Sequence, residues 1–129
     1  DDESFCHTAS KQILKSLGYN LDSQVDSCIS GELAVEQVRQ AYSRGYQYQL
    51  IFMDFNMDGM NGIETTRQIR RFLDFERGLP REQQPRIVGV TGHSTEVFIE
   101  MGRSAGMNLV QPKPFYRQDV KRVLEQLQL

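Results

Sequence analysis

Leu50-Ile51-Phe52-Met53-Asp54-Phe55-Asn56-Met57-Asp58-Gly59-Met60-Asn61-Gly62 runs from the most apolar stretch of the sequence straight into its densest group of turn-forming residues. The apolar part does not alternate with polar residues, which predicts a strand buried on both faces. Asp54 therefore stands where a buried strand leaves the core. In an open parallel α/β sheet the ligand crevice lies just beyond the carboxyl ends of the strands, so a carboxylate at this place points to chemistry. Three other polar signals fall at strand exits: Asp1-Asp2, Thr91 and Lys113.

Toward the amino end, Phe5, Ala9, Ile13, Leu14 and Leu17 recur at helical spacing and stop at Gly18, a residue able to take the left-handed conformation that ends helices. Val25 to Ile29 reads as a short strand, and Leu33, Ala34, Val38 and Ala41 as the buried stripe of a second helix closed near Gly45. Gln49 to Met53 is the central strand. Toward the carboxyl end, Ile63, Ile69, Phe72 and Leu73 mark a third helix, followed by a polar connection from Arg77 to Pro85 that reads as an exposed loop. Ile87-Val88-Gly89-Val90 is the next strand. Phe98, Met101 and Ala105 define a fourth helix stopped by Gly106, Leu109-Val110-Gln111 a short strand, and Val120, Val123, Leu124 and Leu127 an amphipathic last helix. Strands alternating with helices predict an α/β fold with a parallel sheet and right-handed crossovers.

The 129 residues suit a single domain, and Lys plus Arg 15 against Asp plus Glu 17 gives no electrostatic reason to expect nucleic acid or an anionic membrane as partner. Cys6 and Cys28 are in no metal-ligand spacing and read as small buried hydrophobes of a reduced protein. With no membrane-length apolar run and no signal-peptide pattern, a cytoplasmic domain is expected.

Asp1-Asp2, Asp54, Thr91 and Lys113-Pro114, with Asp54-Phe55-Asn56-Met57 leading to Gly62, together resemble the receiver domain of two-component response regulators and hybrid histidine kinases along essentially the whole chain. The resemblance implies a doubly wound, flavodoxin-like sheet of five strands in the order 2-1-3-4-5. It implies that Asp54 takes a phosphoryl group from a phosphohistidine on a histidine kinase or histidine phosphotransfer domain. A carboxylate attacking an anionic phosphoryl group meets like-charge repulsion, so a divalent cation is implied as well. Magnesium, with manganese as an acceptable substitute, would bind Asp2, Asp54 and the backbone carbonyl of Asn56, with Asp1 helping through water. Lys113 is implied to pair with Asp54 at rest and with a phosphoryl oxygen afterwards, and Thr91 to donate its hydroxyl to another oxygen. Gly92 leaves room for the phosphoryl group, Pro114 resembles the family's cis-proline, and Asn56 and His93 occupy positions that tune hydrolysis.

The sequence departs from the family pattern in three places. Where the family has Met-Pro, this chain has Met57-Asp58, which loses a rigid φ and adds a negative charge near the site. The position three before Lys113, often an aromatic output switch, is Val110, whose stiff β-branched side chain predicts that phosphorylation perturbs mainly the loops around Asp54, Thr91 and Lys113. The first strand has no counterpart in Asp1-Asp2-Glu3. Since that strand is central in the order 2-1-3-4-5, the expectation is one receiver domain over residues 1–129 whose first strand comes from residues before Asp1 or from another chain. A parent hybrid kinase is expected, with a stand-alone regulator as the alternative.

Blander readings compete with each element taken alone. A strand-end aspartate is commonly a cap, Asp1-Asp2-Glu3 a frayed acidic terminus, His7 a surface residue, and Phe115-Tyr116 simple packing. Asp54-x-Asn56-x-Asp58-Gly59 also matches the first half of a calcium-binding EF-hand loop, but the closing acid should fall at Thr65 and the run before Asp54 is strand-like. An aspartyl-nucleophile phosphatase would want an acid two residues after Asp54, where Asn56 stands. The domain is expected to act as a phosphorylation switch, not as an enzyme of metabolism.

Overall fold

The computed structural model describes residues 31–45, 48–55, 61–92, 96–113 and 117–127. Within them the order is α1 (Gly31–Ser43), β1 (Leu50–Asp54), α2 (Gly62–Arg71), a π-helical turn (Phe72–Glu76), a 3-10 turn (Arg81–Gln83), β2 (Arg86–Thr91), α3 (Glu96–Ala105), β3 (Leu109–Pro112) and α4 (Arg117–Gln126). The expected first helix and the Val25 to Ile29 strand, with Cys6, His7 and Cys28, lie outside the described residues.

β1 pairs in parallel with β2, and β2 with β3. The resulting order β1-β2-β3 corresponds to the 3-4-5 part of the expected sheet. Side chains alternate across a strand, and β2 is covered on both faces. Ile87 joins a core cluster with Val35, Val38, Tyr42, Met53, Phe55, Ile69 and Leu73, whereas Val88 and Val90 are fully buried outside that cluster. Gly106, at φ +115°, ends α3, with the Met107 N–H donating back to the Gly102 carbonyl at 3.0 Å, as the left-handed helix stop requires.

Four details differ from the sequence reading. Leu33 is 53% exposed, and α1 instead buries Gly31, Val35, Val38, Ala41 and Tyr42. The helix is turned so that Tyr42 packs edge-on against Phe72, ring centres 6.3 Å apart, while Arg39 covers the outer face of the same ring. Met101 is exposed because α3 presses its neighbour Gly102 onto the core. Leu50, Ile51 and Phe52 are half-buried rather than buried on both faces. The connection between α2 and β2 is not simply exposed, since Gln84 and Pro85 are buried.

That last difference comes from Arg70, a charged residue buried at the foot of the sheet. Its guanidinium donates to the Gly106 carbonyl at 2.9 Å, the Gln84 side chain at 3.0 Å, the Pro85 carbonyl at 2.9 Å and the Asn108 side chain at 3.0 Å. Asn108 also caps the start of β2 through the Ile87 N–H at 2.7 Å. Burial, with Arg81 adding to it, pulls the guanidinium pKa down to about 10 against the opposing pull of Asp74 and Tyr42, so it stays charged at neutral pH. Arg70→Ala would remove four hydrogen bonds at once, taking this donor from the Gly106, Gln84 and Pro85 oxygens while Asn108 keeps the Ile87 N–H, and buried unsatisfied groups cost about 1–3 kcal/mol each before water enters. We expect a loss of roughly 3 kcal/mol or more, read as a lower urea midpoint with an unchanged slope. A midpoint equal to that of the parent would show the network to be dispensable.

Candidate functional site

The carboxyl ends of the three strands form one rim. Asp54, last residue of β1, is in register with Val90, and Thr91, last of β2, with Pro112. Lys113 follows β3, its N–H donating to the Thr91 carbonyl at 2.8 Å. Adjacent strands lie about 4.8 Å apart, so the exits of β1 and β3 are separated by roughly 10 Å. The four-carbon stem of Lys113 spans that gap over the end of β2, and its Nζ reaches Asp54 Oδ2 at 2.9 Å.

The carboxylate of Asp54 is completely buried, while the Lys113 side chain keeps 21% exposure. A carboxylate removed from water costs several kcal/mol unless a cation and hydrogen bonds compensate, and Lys113 supplies the cation. Thr91, also buried, occupies the strand exit between the two. A carboxylate and an ammonium are thus paired at one end of the sheet, over the strand that Thr91 ends.

Two residues of the quoted motif, whose packing was not read from the sequence, hold Asp54 in place. The first is Gly62 at the start of α2, where an added Cβ would overlap the Asp54 carbonyl oxygen and come within 3.0 Å of Phe55 Cα. Its N–H donates to the Phe55 carbonyl at 3.1 Å, and the preceding Asn61 caps the helix by accepting from the Glu64 N–H at 2.8 Å. The second is Phe55, read from the sequence as the start of a turn but buried in the core cluster. The available signals were glycines at places where helices and strands disfavour them, Gly62, Gly89 and Gly102, since glycine inside an element marks a close approach.

Of the other expected site residues, Gly92 is exposed, with open space where a Cβ would lie, and Val110 is half-buried against the core and touches α3 at Gly102. Asp1, Asp2, Asn56, Asp58, His93 and Pro114 lie outside the described residues. Of the groups expected to hold a cation, Asp54 alone is therefore described, and its carboxylate is a hard oxygen donor of the kind magnesium takes. The calcium-loop alternative requires a helix before Asp54, and that segment is the parallel strand β1. No helix among the described residues is long and apolar enough to cross a membrane.

The family model described as the response regulator receiver domain matches residues 1–125. Over 118 residues the chain is 27% identical to the osmosensing histidine protein kinase SLN1 of Saccharomyces cerevisiae, covering 92% of this chain and 9% of that protein. It is 32% identical to two-component response regulator 24 of Arabidopsis thaliana, covering 98% of this chain and 79% of the regulator. The chain spans 9%, 6% and 16% of three kinase and two-component relatives from yeast, Dictyostelium discoideum and Emericella nidulans, a small part of their length. Among solved structures, the receiver domain of the sensor histidine kinase PA1611 from Pseudomonas aeruginosa, with magnesium coordinated in its active-site cleft, superposes with a TM-score of 0.70 at 26% identity, covering 95% of this chain and 88% of that one. CheY from Borrelia burgdorferi, in a complex with CheX, beryllofluoride and magnesium, gives a TM-score of 0.76 at 23% identity over 98% of this chain and 84% of that one, a likeness of fold.

Proposed function

The chain belongs to the response regulator receiver domain family of two-component systems, and on that premise we propose that Asp54 is its phosphoacceptor. The observation that carries the reading is the 2.9 Å pairing of Lys113 with a fully buried Asp54 at the rim where Thr91 also ends its strand.

In this reading an Asp54 oxygen forms the new bond to phosphorus as the phosphorus–nitrogen bond of a phosphohistidine breaks, and the imidazole leaves with the electron pair and takes up a proton. Lys113 holds the carboxylate in place before transfer and binds a phosphoryl oxygen after it. Thr91 donates its hydroxyl to a second oxygen. Gly92, with open space beside it, leaves the approach clear. A magnesium ion, on Asp2, Asp54 and the Asn56 carbonyl with Asp1 through water, would offset the negative charge shared by carboxylate and phosphoryl group. His93 and Asn56 tune how long the phosphoryl group lasts, Asp58 weakens phosphorylation by adding a negative charge near the site, and Pro114 turns Lys113 into the site.

The partner is a histidine kinase or histidine phosphotransfer domain, and the parent is a hybrid histidine kinase. The matches to kinases such as the yeast osmosensor support that parent, while the Arabidopsis regulator keeps a stand-alone protein as the second reading. The domain works as a cytoplasmic switch rather than as an enzyme with turnover.

The test is intact mass after incubation with acetyl phosphate. One phosphoryl group is expected with magnesium or manganese, and none once the metal is chelated. A phosphate gain indifferent to chelation would overturn the metal's part in the reading. Micromolar calcium binding that magnesium does not compete with would return the calcium-loop alternative.

A further inference from the structure

We propose that Phe55 is a positioning residue for Asp54, wedged by Met107 against two glycines, and that this wedge ties α3 to events at the site. The proposal rests on the reading of Asp54 as phosphoacceptor.

Phe55 follows Asp54 directly, and its main chain is fixed on both sides. The N–H donates to the Val90 carbonyl of β2 at 3.0 Å, and the carbonyl accepts from the Gly62 N–H of α2 at 3.1 Å. Its ring enters the space between β2 and α3. At Gly89, in the middle of β2, a Cβ would collide with Met107 Sδ and lie 2.6 Å from Phe55 Cε1. At Gly102, on the inner face of α3, a Cβ would lie 2.8 Å from Val110 Cγ2, 2.9 Å from Met107 Sδ and 3.1 Å from Phe55 Cζ. The ring of Phe98, in the first half of α3, stands at 61° to that of Phe55 with centres 6.4 Å apart.

Glycine inside a strand or helix is disfavoured by roughly 0.5–1 kcal/mol against alanine. Here both glycines are filled by neighbouring side chains, so the volume of a large Phe and a large Met is matched to two missing side chains. Such close packing leaves no slack and passes displacement on rather than absorbing it.

α3 follows Thr91 and Gly92 in the chain and bears on the ring of the residue next to Asp54. A group on Asp54 that displaces Phe55 therefore presses on Phe98 and Gly102. The expectation of a quiet α3 came from residue 110 alone, and Phe55 reaches the same helix from the other side.

The experiment compares backbone amide spectra with and without magnesium and beryllofluoride, a stable mimic of the aspartyl phosphoryl group. In the parent, residues of α3 are expected to shift together with those at the strand exits. In Phe55→Leu, the α3 shifts should fall to less than half while those of residues 91, 92 and 113 persist. Met107→Leu keeps the volume and should keep both sets. A loss of packing alone would lower the thermal midpoint without separating the two sets of shifts.

The proposal is overturned if α3 is silent in the parent, or if Phe55→Leu retains the α3 shifts in full. If Phe55→Leu does not fold, Gly102→Ala tests the contact from the helix side. Its phosphate gain from acetyl phosphate should slow severalfold, and a parent-like rate rejects the wedge. A parent in which no amide responds to beryllofluoride rejects the phosphoacceptor reading itself, and the wedge with it.

Discussion

Asp54→Asn is expected to lower the hydroxylamine-labile phosphate that the parent should gain from acetyl phosphate and magnesium by on the order of a thousandfold or more, as removal of a nucleophile does elsewhere. The amide has the shape of the carboxylate but lacks the anionic oxygen that attacks phosphorus. The fold should survive. Lys113 would lose its ionic partner, but it is 21% exposed and can turn its ammonium toward water, while the replaced group no longer imposes a buried charge. Circular dichroism checks the fold and intact mass the phosphate. A folded variant that gains phosphate at the parent rate would remove Asp54 from the chemistry.

Gly62→Ala is expected to cost about 3 kcal/mol, at the upper end of what overpacking does. The atom an alanine methyl would strike is the Asp54 carbonyl oxygen, a backbone atom that no rotamer change can move. Relief requires α2 to draw back from the exit of β1, which breaks the hydrogen bond from the Gly62 N–H to the Phe55 carbonyl. Asp54 would shift with it, so phosphate gain should slow in the molecules that remain folded. Gly92→Ala is the natural control, because its methyl would meet nothing within 4 Å, and its stability should stay within about 0.5 kcal/mol of the parent. Urea unfolding of the two variants checks the contrast. Equal midpoints would mean that the close approach at Gly62 is not a constraint.

The positions of Asp54, Thr91 and Lys113 at neighbouring strand exits could be read from sequence because each ends or follows a short apolar run bounded by turn residues. The parallel order of β1, β2 and β3 followed from helices lying between them. Other features depend on phase or on three-dimensional neighbours. Leu33 and Val35 are both apolar but lie on opposite faces of α1, about 200° apart, and Val35 is the one that shares a face with Val38 and Tyr42. Arg70 sits among polar neighbours on α2 and reads as a surface cation, because its acceptors come from Gln84, Pro85, Gly106 and Asn108, distant along the chain. Phe55 belongs to a segment rich in turn formers, and its burial depends on space left by Gly89 and Gly102 on other elements. A glycine in sequence shows that something approaches closely, not what approaches.

The most direct test of the account is to reduce the phosphorylated parent with borohydride, which converts an aspartyl phosphate to homoserine, and to map the product by peptide mass. The account predicts homoserine at position 54 and nowhere else, with none in Asp54→Asn. Homoserine at another acidic residue, or phosphate gained without any borohydride-sensitive acyl group, would contradict it.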